Sequence, residues 1–122
     1  MKKRTSRTAA FTLVEIMIVV AIIGLLAAIA IPNFVRARTT AQMNTCINNL
    51  RQLDGAVQQW ALENKKASTD TYTLDNLKLY IKLDSKGDIP GCPGGGLYTA
   101  GATVDNPPTC SLSPAPTNHK LP

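Results

Sequence analysis

The chain has 122 residues, a formal net charge of +5, 5% aromatic residues, three cysteines and one histidine, which leaves room for one small domain beside an anchor. Lys2, Lys3, Arg4 and Arg7 all fall in an acid-free stretch over residues 1–10, and without them the chain is nearly neutral. The basicity therefore reads as a topology signal that keeps the N-terminus in the cytoplasm, and no specific nucleic-acid binding is expected. With His119 the single histidine and no acid pair or phosphate loop, the chain is not expected to be an enzyme; no cofactor and no metal are predicted.

Residues 1–10 form a basic leader that ends in Ala9 and Ala10. From Phe11 to Ile31 every residue is apolar or small except Thr12 and Glu15. As a helix rising ~1.5 Å per residue, that run is roughly 31 Å long and matches a hydrocarbon core of about 30 Å. Glu15 is the anomaly within it, because an ionisable residue in a membrane segment points to function. A competing reading makes the run a secretory signal cleaved after Ala30, in Ala28-Ile29-Ala30, which would release a small soluble domain. The run is longer than the ~7–15 residues of such a segment, and Glu15 would have no purpose there.

Pro32 kinks such a helix without ending it. Beyond it Met43, Ile47, Leu50, Leu53, Val57 and Trp60 recur at helical steps, so an amphipathic continuation is predicted over 33–64. Asn64, Lys65 and Lys66 mark its end. The single helix expected over 11–64 is roughly 80 Å long at ~1.5 Å per residue.

Residues 65–122 are predicted to be a small head. Leu74 to Leu83 fits a helix or a strand, and Thr73 as N-cap favours a short helix. From Ser85 onward, Gly and Pro signals separate short β segments at Leu97-Tyr98-Thr99, Thr103-Val104 and Cys110-Ser111-Leu112. A small antiparallel hairpin or sheet follows, giving an α+β class. Asp84-Ser85-Lys86-Gly87-Asp88 reads as a turn, and Pro114 to Pro122 as a loosely held tail.

The three cysteines, Cys46, Cys92 and Cys110, permit one disulfide in any of three pairings and leave one thiol over. Cys46 lies on the apolar helix stripe, where a buried free thiol is the simplest reading. A bridge between Cys92 and Cys110 would stabilise by about 3 kcal/mol in the loop-entropy model. A zinc site of Cys46, Cys92, Cys110 and His119 is set aside because structural zinc normally uses closer spacings.

A basic leader ending in a small residue, followed by Phe11-Thr12-Leu13-Val14-Glu15 and an apolar helix carrying Ile31-Pro32-Asn33-Phe34, resembles type IV pilins. Their relatives are the pseudopilins of type II secretion and the pilins of DNA-uptake systems. The resemblance implies that a prepilin peptidase cuts between Ala10 and Phe11 and methylates the new Phe11 amine. The family usually has Gly before the cut, and this chain has Ala10. By the same resemblance, Glu15 directs assembly by neutralising the Phe11 amine of a staggered neighbour, which specifies register. Gly24 and Pro32 bracket a section that loses helix in the filament, and Cys92 with Cys110 resembles the C-terminal disulfide loop of many pilins.

The implied function is that of a structural subunit that polymerises into a type IV pilus-like filament for adhesion, motility or DNA uptake. The alternative is the major pseudopilin of a type II secretion system. The implied partners are identical subunits in a helical homopolymer, the peptidase, an inner-membrane assembly platform with a cytoplasmic ATPase, and an outer-membrane secretin. Before assembly the chain would sit in the inner membrane as a single pass with a cytoplasmic N-terminus, and afterwards in an extracellular pilus or periplasmic pseudopilus.

Overall fold

A computed structural model describes residues 9–112 and 119–122; the leader expected over 1–10 therefore lies outside the described residues except for Ala9 and Ala10. One helix, α1, spans Leu13–Glu63. It is followed by a 3₁₀ turn over Leu74–Leu77 and two short strands, β1 (Tyr98–Thr99) and β2 (Thr109–Cys110). The fold is α+β, with a long N-terminal helix and a small antiparallel sheet. The chain divides into two compact units, Met1–Arg36 and Ala37–Pro122.

In the first unit every large hydrophobic side chain from Phe11 to Val35 is at least 50% exposed. The apolar section of α1 is long enough to cross a membrane, and none of its most apolar stretch is buried. Pro32 lies inside the helix, as expected.

In the second unit one face of α1 is the wall of the core. Cys46, Leu50, Leu53, Val57 and Trp60 recur at helical steps and are buried, with Ala56 and Ala61 between them. The stripe is centred slightly differently from the one expected: Met43 and Ile47 are only partly covered, and Cys46 takes the buried position. Against this face pack Tyr72, Leu77, Cys92, Val104 and Cys110.

The helix stops for a backbone reason. Lys65 adopts a left-handed φ of 53°, and the Lys66 N–H donates to Ala61 O at 2.8 Å while the Lys65 N–H reaches Leu62 O at 3.4 Å. This is a Schellman motif formed on lysine where glycine is the usual residue. The Lys66 ammonium then lies 5.9 Å from the centroid of the Trp60 ring, within cation–π range.

The expected short helix is the 3₁₀ turn at Leu74–Leu77. Thr73 precedes it, and the Thr73 N–H donates to Asn76 Oδ1 at 2.9 Å. Of the three expected β segments, the first and last pair, with Tyr98 opposite Cys110 and Thr99 opposite Thr109. Thr103-Val104 forms no strand, because its backbone is taken by another loop: the Val104 N–H donates to Asp70 O at 2.9 Å. Tyr72 fastens the same loops. Its ring lies 6.5 Å from that of Trp60 at 49°, and its hydroxyl accepts from the Gly101 N–H at 2.8 Å and donates to Asn106 O at 3.1 Å.

The 84–88 segment is a turn, as expected. Asp84 Oδ1 accepts from the Lys86 and Asp88 N–H groups, both at 2.9 Å, and these hydrogen bonds hold its carboxyl below the usual range. The tail is a correction. His119 is only 2% exposed and its N–H donates to Leu112 O at 3.2 Å, so the chain end at 119 is packed into the head; residues 113–118 lie outside the described residues.

Tyr72→Phe removes both loop bonds and strands a backbone N–H, so it should lower head stability by about 1–2 kcal/mol in thermal unfolding of the full chain in detergent. Lys65→Gly relieves the left-handed strain and should raise stability by about 1 kcal/mol in the same measurement.

Candidate functional site

The first candidate is the start of α1. The Thr12 N–H donates to Glu15 Oε2 at 3.1 Å, and the Glu15 N–H donates to Thr12 Oγ1 at 3.3 Å. Together they form a reciprocal capping box, in which Thr12 and Glu15 satisfy each other's backbone donors. The Ile16 N–H reaches Thr12 O at 3.4 Å and opens the helix. Glu15 is thus held in the first turn, where the helix dipole favours a negative charge. A carboxylate has about four acceptor sites, so this one retains room for a further donor. Ala10 and Phe11 lie outside the helix and are exposed, which leaves the bond between them accessible. Gly24 lies in the apolar section with open space around its α-carbon.

Sequence reasoning singled out Glu15 for its charge and overlooked its local bond. The Thr12-x-x-Glu15 spacing was the available signal.

The second candidate lies in the head. Cys46 comes from α1, Cys92 from the loop before β1, Cys110 from β2 and His119 from the chain end. All four side chains are buried, and their ligand-type atoms lie within 4.8 Å of one another. Cys92 Sγ is 3.2 Å from His119 Nδ1. The three cysteines are free thiols, so a Cys92–Cys110 bridge is an alternative use of two of these sulfurs.

Cys92-Pro93-Gly94-Gly95-Gly96 wraps this cluster closely. Gly95 has a φ of +89°, which turns the chain back. At Gly96 a Cβ would stand 2.6 Å from Cys110 Sγ and 2.9 Å from Leu112 Cγ. Only glycine allows that approach without displacing the sulfur.

The cluster is electrostatically uneven. Burial above all, helped by its thiol neighbours Cys92 and Cys110, pushes Cys46 up to about 12. Burial also raises Cys92, but hydrogen bonds from Cys46, from the Gly96 and Gly94 backbone and from Cys110 outweigh it and hold that thiol below its ordinary value. Tyr98 is raised by burial, which outweighs the bond it accepts from Asn49 Nδ2 at 3.1 Å.

Residues 5–31 match the model of the prokaryotic N-terminal methylation motif. The chain is 46% identical to the type IV major fimbrial protein FimA of Dichelobacter nodosus over 97 residues, covering 80% of this chain and 54% of the relative. It is 45% identical to the type IV major pilin protein PilA of Myxococcus xanthus over 62 residues, 51% of this chain and 28% of the relative. With the type II secretion system core protein G of Aeromonas hydrophila it shares 32% identity over 77 residues, 63% of this chain and 52% of the relative. The chain thus carries the N-terminal methylation motif and is similar to type IV pilins and to type II secretion core protein G. It spans between about a quarter and a half of the length of these curated relatives. No solved structure gives a significant match.

The pilin motif and the cysteine cluster therefore occupy different parts of the chain. The motif accounts for Thr12, Glu15 and the exposed apolar helix. It says nothing of why three thiols and an imidazole converge in the head.

Gly96→Ala should lower head stability by about 1–3 kcal/mol, because the new Cβ overlaps Cys110 Sγ. Gly91→Ala, where nothing lies within 4 Å of the added carbon, should be nearly neutral. Thermal unfolding of both variants checks the pair.

Proposed function

We propose that this chain is a prepilin: a structural subunit that is cleaved between Ala10 and Phe11, methylated at the Phe11 amine and polymerised into a type IV pilus-like filament. The observation that carries this reading is the capped Glu15 at the head of a helix whose large apolar side chains from Phe11 to Val35 are exposed among the described residues. Such a surface is stable in lipid or against copies of itself. The subunit would wait in the inner membrane as a single pass with its N-terminus in the cytoplasm. Its helix would then leave the bilayer and become part of the filament's apolar core.

Glu15 gives the assembly its register. Cleavage creates an ammonium on Phe11 one turn from the carboxylate. Burying either charge alone in an apolar filament is costly, and an axial stagger that pairs Glu15 with the Phe11 amine of a neighbour relieves both. The Glu15–Thr12 bond holds the carboxylate in the first turn until that partner arrives. Gly24 and Pro32 are the positions where the helix can open on packing.

The processing enzyme is a prepilin peptidase, and assembly uses an inner-membrane platform with a cytoplasmic ATPase and, for passage to the surface, an outer-membrane secretin. The chain's role is structural, not enzymatic. A second reading, the major pseudopilin of a type II secretion system, is favoured by the relation to core protein G of Aeromonas hydrophila; it shares every step up to the filament's destination.

Mass spectrometry of the mature N-terminus tests the processing step. Methylated Phe11 is expected, and a chain beginning at Ile31 would overturn the prepilin reading in favour of a small secreted domain. Glu15→Ala should insert in the membrane at normal levels yet form no filaments in sheared-surface or periplasmic fractions, and wild-type filament yield from that variant would defeat the register role of Glu15.

A further inference from the structure

We propose that Cys46, Cys92, Cys110 and His119 form a tetrahedral zinc site that ties the C-terminal chain of the head to α1. Four ligand atoms of this kind, all buried and all within 4.8 Å of one another, form a cage of nearly the right size. Zinc bonds of about 2.3 Å to sulfur and about 2.0–2.1 Å to nitrogen correspond to ligand separations of roughly 3.5–3.8 Å. The Cys92–His119 separation of 3.2 Å is already in that neighbourhood, and the others need draw in by about 1 Å at most.

The donor set selects the metal. Three thiolates and an imidazole suit a borderline-soft cation with tetrahedral preference, which is the structural zinc set. Binding forms three Zn–S bonds and one Zn–N bond to neutral imidazole, and the three thiol protons leave to solvent. The site then carries a net charge of −1, and the Gly-rich turn lies close against it: a Cβ at Gly94 would stand 3.6 Å from Cys92 Sγ and one at Gly96 2.6 Å from Cys110 Sγ.

Burial favours zinc over the other uses of these residues. A Cys92–Cys110 disulfide would consume two sulfurs and leave Cys46 and an imidazole 2% exposed in the core beside it. A Cys92–His119 nucleophile pair would need an opening to substrate, and both groups are buried. Zinc employs all four. It also explains why His119 is packed in at the chain end, and why the Gly-rich turn approaches Cys110 so closely. The inference does not depend on the destination of the filament.

The full chain is purified in detergent from zinc-replete cells without chelator, and its metal is measured by plasma mass spectrometry. One zinc per chain is expected after dialysis, with a fall in the head's melting temperature on prolonged chelation that zinc restores and magnesium does not. Cys46→Ser and His119→Ala should each weaken zinc retention by more than about tenfold, and His119→Cys should keep it. Should the variants fail to fold, cobalt(II)-loaded wild-type protein decides: thiolate-to-cobalt charge transfer with a tetrahedral d–d spectrum supports the site, and an octahedral spectrum without charge transfer overturns it. A zinc-free native chain lighter by two hydrogens, with its Cys92 and Cys110 peptides linked, would also overturn it, as would zinc retention unaffected by both ligand substitutions.

Discussion

One face of α1, from Cys46 to Ala61, is the wall on which the head depends. Beyond Glu63 the large apolar side chains that are buried in the core are Tyr72, Leu77 and Val104, with others such as Leu74, Ile81 and Tyr98 packed at its edge. Strands of two residues each cannot form an independent core. The head is therefore a set of loops fastened to a helix. Every fastening has a physical identity: Tyr72 joins two loops through its hydroxyl, Val104 and Asp70 share a backbone bond, and the cysteine cluster gathers the last segments. In so small a core each of these counts, because burial alone leaves little margin over conformational entropy.

The other section of α1 presents the opposite situation. Its large apolar side chains from Phe11 to Val35 are exposed among the described residues. A helix greasy on all sides is stable only where its surroundings are apolar. Lipid and a bundle of like helices both satisfy that condition, and on the proposed reading a subunit would exchange one for the other at small cost in apolar burial. On the proposed reading it is the Glu15 carboxylate that distinguishes the two surroundings, since it needs a partner in a bundle and can reach headgroups in a membrane.

The two parts also differ in how far the chain order alone foretold them. The helix was legible because its signals are local. Apolar periodicity placed the stripe, with Leu50, Leu53, Val57 and Trp60 buried as expected, and the cations at Lys65 and Lys66 marked the end to within two residues. The turn at Asp84 and the cap at Thr73 were legible for the same reason. Thr103-Val104 was misplaced as a strand because its backbone partner, Asp70, is far away along the chain. His119 was assigned to a loose tail because terminal residues are commonly loose, and its side-chain partner, Cys92, lies far along the chain.

By itself, the sequence determined the long helix, its division into an apolar and an amphipathic section, the leader's charge and the motif around Glu15. All of these depend on residues within a few positions of one another, where composition and spacing carry the physics. The tertiary structure alone decided which face of the loops met α1, and that three sulfurs and an imidazole would share one small volume. Spacing along the chain spoke against a metal cage, since Cys46, Cys92, Cys110 and His119 come from four separate segments. Loop closure lifts that restriction: once the core fixes the ends of each segment, sequence distance no longer separates their side chains.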